Sequence, residues 1–138
     1  MAVTSTPSAN SLLNKLSHDH PNLIFRHGKK FAFRPPKTIT IGPPCPGHAL
    51  LTLHELAHAL LKHKDYNLDI QRLKIESKTW ATTKQLCQKY RIVWNEDFAE
   101  DHLDTYRDWL HQKSLCPTCH LTRYQNPSGT YHCPQCLS

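Results

Sequence analysis

The stretch "LLTLHELAHALLKH", residues 50–63, sets the fold. Its leucines and alanines cover most faces of a helix, the composition of one buried on nearly all sides. Yet His54, Glu55 and His58 fall within five of its residues. An ionised carboxylate in such a setting is costly unless it is paired or serves a metal. Residues four apart on a helix stand one above the other, so His54 and His58 present two imidazoles to one point. Glu55 lies about 100° round the helix from His54, beside that point. This is the arrangement of HExxH, in which two histidines hold zinc and the glutamate acts as general base toward a water.

A catalytic zinc usually takes a third protein ligand and keeps one position open. His63, Asp65, Asp69 and Glu76 follow the motif. On a continuous helix His63 points away from the His54/His58 face, and Lys64 stands where the third histidine of a metzincin would fall. Glu76 sits in "LDIQRLKIESKTWATTKQLCQKY", residues 68–90, on the same helical face as Leu73, Trp80, Thr83 and Cys87. That is the inward face. A carboxylate there either pairs with a base or coordinates a metal, and Glu76 is the expected third ligand.

Working outward, residues 1–8 read as a loose Ser/Thr-rich leader and "NSLLNKLSHDHP" as a short helix. "NLIFRHG", "KKFAFRPPK" and "TITIG" are short β-type stretches with turn residues between them, expected to form a small antiparallel sheet. "KTITIG" is the candidate edge strand for an extended substrate. The HELAH helix starts near His48, a second helix runs from about Asp69 to Tyr90, and a third begins near Asn95. Phe98, Leu103, Tyr106, Trp109 and Leu110 form the third helix's apolar stripe. The predicted class is α+β. A zincin-like domain over residues 1–112 is followed by a separate module over 113–138.

That module holds Cys116, Cys119, Cys133 and Cys136 as CxxC-x13-CxxC. Each pair turns tightly round one ion, and four thiolates close a tetrahedral structural zinc site. The module looks like a zinc ribbon with its hairpin at "NPSG". Two zinc ions are therefore expected, one at each site. Cys87 is expected as a small core residue, whereas Cys45 could reach the histidine site as a latency thiolate.

The 138-residue chain suits one modest core with an appendage. It has no membrane-length apolar run and no secretory leader pattern, so a cytoplasmic location and reduced thiols are expected. Basic residues exceed acidic ones by six, 17 against 11. Arg26, Lys29, Lys30, Arg34 and Lys37 cluster in "RHGKKFAFRPPK", where an acidic protein segment or a nucleic-acid backbone could dock. The ribbon itself carries few cations, which favours protein docking or stabilisation there.

His54, Glu55 and His58, followed eighteen residues later by Glu76 in "ESKTWA", resemble the gluzincin pattern. They are similar to the ImmA/IrrE-type metallopeptidases and to minimal gluzincins over roughly residues 22–92. The resemblance implies a small sheet before the HExxH helix, a glutamate helix after it, and zinc-dependent hydrolysis of peptide bonds. The appended four-cysteine module resembles the architecture of SprT-like, DNA-associated proteases, although these use a third histidine. A helix-turn-helix, common alongside ImmA/IrrE proteins, is not found. The alternatives to a peptide-cleaving enzyme are thus a SprT-like protease and a non-catalytic zinc-binding adaptor. Tyr66, Tyr90, Tyr106 and His102 are the candidates for a second donor to a developing oxyanion.

Overall fold

The computed structural model describes residues 9–62 and 66–136. Among them are four helices, a three-stranded sheet and a two-stranded hairpin, an α+β fold. The elements are α1 (Ala9–Asp19), β1 (Ile24–His27), β2 (Ala32–Arg34), β3 (Thr38–Ile41) and α2 (His48–Leu60). There follow α3 (Asp69–Tyr90), α4 (Glu96–Ser114), β4 (Tyr124–Gln125) and β5 (Tyr131–His132). The expected leader, and the positions His63, Lys64 and Asp65, lie outside the described residues. No helix among the described residues is long and apolar enough to cross a membrane.

The sheet has the order β1-β3-β2. β2 pairs antiparallel to β3, but β1 pairs with β3 in parallel, with Ile24 opposite Thr38 and His27 opposite Ile41. The sheet is therefore mixed rather than wholly antiparallel, and β3 occupies its centre. The reason is burial. Ile39 and Ile41 are the strand residues fully shielded from water, so "TITI" takes the position paired on both sides. "KTITIG" consequently cannot serve as the free edge, a role left to β1 and β2. On the opposite face of the sheet Arg26, Arg34, Thr38 and Thr40 project outward, so part of the basic cluster is solvated.

The chain divides into two compact units, residues 1–64 with 79–95 and residues 65–78 with 96–138. In the first, Leu12 and Leu16 of α1, Ile39 and Ile41 of β3 and Leu50, Leu53 and Leu56 of α2 are buried. So are Trp80, Leu86 and Cys87 of α3. The Tyr90 hydroxyl donates to Asp19 at 2.7 Å, joining the ends of α3 and α1. This bond holds the Asp19 carboxyl below its ordinary pKa. α3 stops at Arg91, whose φ of 58° lets the Ile92 amide reach the Cys87 carbonyl at 2.9 Å, the bond of a Schellman cap. α2 begins after Gly47, which takes a left-handed φ of 76° behind "PPCP", a conformation cheap only for glycine.

The second unit joins the four-cysteine segment to α4 and to the first part of α3, whereas the sequence pattern alone marks that segment off at residue 113. Asp69 is the joint. Its carboxylate is buried, accepts from the Tyr131 hydroxyl at 2.6 Å and pairs with Lys113 at 3.0 Å. Its amide donates to the Gln125 side chain at 2.7 Å. Gly129, at φ 94°, forms the hairpin turn between β4 and β5. In that turn the Asn126 side chain accepts from the amides of Ser128 and Thr130.

Burial works against the Asp69 charge, but the bonds from Tyr131 and Lys113 outweigh it and hold the carboxyl below its ordinary value. A carboxyl whose folded pKa is depressed stabilises the fold above its unfolded pKa, near 4. That contribution is lost as pH falls through the folded value. Tyr131→Phe should therefore cost about 1–2 kcal/mol at pH 7, with the difference from wild type shrinking below about pH 4. Urea unfolding at the two pH values checks this, and equal stabilities at pH 7 would refute it.

Candidate metal centres

α2 presents His54 and His58 from one side of the helix, His54 buried and His58 partly so. Their rings meet edge to face with centroids 4.7 Å apart. Three residues of α3 lie against them. The Trp80 indole stacks on the His54 ring at 4.1 Å. The hydroxyls of Thr83 and Thr79 stand 3.5 Å from Nδ1 of His54 and 3.4 Å from Nδ1 of His58. Thr83 spends its own proton on the Thr79 carbonyl at 2.7 Å. Its oxygen is thereby left to accept from a protonated Nδ1, the tautomer that frees the Nε2 lone pair for a metal.

Glu76 precedes Thr79 and Trp80 by one turn of the same helix and is buried. One ring nitrogen from each histidine and one carboxylate oxygen of Glu76 lie within 4.8 Å of one another. Around a tetrahedral ion with bonds of 2.0–2.2 Å, such donors stand about 3.3–3.6 Å apart. The three expected ligands are thus brought together.

Glu76 has a further partner that the sequence did not reveal. The Tyr106 phenol of α4 lies close enough to its carboxylate and to Arg72 for both to act on the phenol's pKa. Burial, and next the Glu76 charge, push the Tyr106 pKa up, so the phenol keeps its proton to donate. The Arg72 guanidinium lies over the rings of Trp109 at 4.9 Å, Tyr106 at 5.0 Å and Tyr66 at 5.9 Å. Tyr106 is thereby placed as an anchor for Glu76. Of the other candidate oxyanion donors, Tyr90 is engaged by Asp19, and Nδ1 of His102 bonds the Phe98 carbonyl at 2.9 Å. Glu55 is half-buried on α2.

The four cysteines form the second group, with a sulfur from each within 4.8 Å of the others. Cys119 and Cys133 are 3.5 Å apart, and Cys116 and Cys136 are 3.9 Å apart. Sulfurs bound at 2.3 Å to a tetrahedral ion stand about 3.8 Å apart, and a disulfide would need about 2.05 Å. The spacing fits a metal and not a disulfide. Amides of Cys119 and Thr118 point at Cys116 and lower its pKa to about 6, while hydrogen bonds among the sulfurs push Cys136 up to about 12. The His120 φ of 62° turns the chain back after the first pair, so that the Leu121 carbonyl accepts from the Cys116 amide at 2.8 Å.

No protein-family model matches the chain, and no curated protein or solved structure matches it either.

Cys87 and Cys45 stand apart from both groups. Cys87 is a core residue whose thiol burial pushes up to about 11, whereas Cys45 is exposed. Only a thiolate reacts readily. Iodoacetamide at pH 8 should therefore label Cys45 rapidly and Cys87 only after unfolding, as mapped by mass spectrometry. Comparable rates at the two would contradict the burial of Cys87.

Proposed function

We propose that the chain is a zinc metallopeptidase of the gluzincin kind, in which His54, His58 and Glu76 hold the catalytic ion and Glu55 is the general base. Cys116, Cys119, Cys133 and Cys136 hold a second, structural zinc in a ribbon. The observation that carries this reading is the convergence of the three donors within 4.8 Å, two of them on a helix that also carries a carboxylate next to the first histidine. A structural zinc needs no base beside it.

A divalent ion held there supplies Lewis acidity and brings the pKa of a bound water to about 7. The chain's own residues do the rest. Glu55 takes the proton from the attacking water as the new C–O bond forms at the scissile carbonyl. It then delivers that proton to the amine nitrogen as the C–N bond breaks. Thr83 fixes the His54 tautomer, Trp80 fixes its ring plane, and Tyr106 holds the Glu76 carboxylate.

Three variants test the assignment. Glu55→Gln should keep both zincs by elemental analysis yet lower cleavage of an unfolded protein substrate by about 10²-fold or more. Glu76→Ala should lose about one of the two zincs while keeping its fold. Tyr106→Phe should weaken zinc at the histidine site by about tenfold and leave the four-cysteine site unchanged. One zinc in every variant and in wild type would leave the ribbon alone standing and favour an adaptor.

A further inference from the structure

An apolar concavity outside the metal groups lies within the first unit. It has a volume of about 400 Å³, in the range that holds a small ligand. Leu23, Phe33, Pro35, Pro36 and Ala59 form apolar walls, where the turn between β2 and β3 meets the end of α2. The polar residues around it are Asn22 and two lysines, Lys37 and Lys62, and among the described residues no carboxylate lines it. Lys37 and Lys62 are exposed, and neither forms an ion pair with a described residue.

Its place along α2 matters. Ala59 follows Glu55 by four residues, one turn and about 6 Å along the helix axis. The two therefore share one stripe of α2. Lys62 follows in the left-handed turn that closes the helix, at φ 55°. Phe33 belongs to β2, one of the two edge strands. Ala59, in the pocket wall, thus lies one helical turn from the residue assigned as general base.

Apolar walls select an apolar body, and two ammonium groups at the rim select an anionic head. We propose that this pocket binds the C-terminal residue of a peptide, its apolar side chain against Phe33 and Pro36 and its free α-carboxylate at Lys37 and Lys62. The proposal rests on the peptidase reading for its consequence, that cleavage removes an apolar residue from the C-terminus. In that reaction water adds its oxygen to the penultimate carbonyl carbon. The C–N bond breaks and the freed amine takes the proton.

Binding and cleavage can be read separately. The probe is acetyl-Ala-Leu, with its amide and octanoate as comparisons, titrated calorimetrically into the zinc-loaded full chain. The carboxylate should bind at least about tenfold tighter than the amide and tighter than octanoate. The Lys37→Gln/Lys62→Gln double variant, altered only at exposed positions, should lose that preference while Glu55→Gln retains it. Equal affinity for carboxylate and amide would overturn the proposal, as would octanoate binding as tightly or a preference that survives in the double variant. A chain that binds this way but cleaves no peptide would sink the peptidase reading and leave the pocket's ligand class standing. Equal cleavage of free and amidated peptides would do the reverse.

Discussion

The inward face of α3 carries polar groups that must be satisfied without bulk water, and much of the molecule is arranged to meet that demand. Glu76, Thr79 and Thr83 recur at helical spacing and are all buried. A helix face meant for apolar packing alone would carry none of them. The threonine hydroxyls meet the two α2 histidines, and Tyr106, with the Arg72 guanidinium over its ring, lies by Glu76. Each polar group is held by another that is held in turn, the condition under which a buried polar network rigidifies instead of destabilising.

The four-cysteine module is tied in by the same device. Asp69, at the first turn of α3, is a buried carboxylate that draws Tyr131 and Lys113 to itself. Cutting away Tyr131 would leave that charge partly unsatisfied, so the β4–β5 hairpin contributes to the second unit's stability beyond any metal held by the cysteines. This gives the module a structural purpose that requires no nucleic-acid contact, in keeping with the few cations within it.

Much of this was legible in the sequence because it is local. HELAH on an apolar helix placed α2, and an inward carboxylate among Trp80, Thr83 and Cys87 identified both α3 and Glu76. The cysteine spacing identified the second metal group. What stayed hidden depends on contacts between residues far apart in the chain. Tyr106 follows Glu76 by thirty residues, and an amphipathic stripe cannot show which residue of another helix its tyrosine lies against. Asp69 gave no sign of its partner sixty-two residues on. The parallel pairing of β1 with β3 was equally invisible, since three short strands with turns between them read most simply as a meander. Thr79 carried a faint signal as a buried hydroxyl one turn from Glu76.

The central claim is that two histidines and a glutamate hold one ion, separate from the four-cysteine site. Zinc-edge X-ray absorption on the fully loaded chain tests it most directly. The account predicts two environments, one of sulfur at about 2.3 Å and one of nitrogen and oxygen at about 2.0–2.2 Å, with the second removed in Glu76→Ala. A spectrum of sulfur ligands alone, the same in wild type and variant, would contradict it.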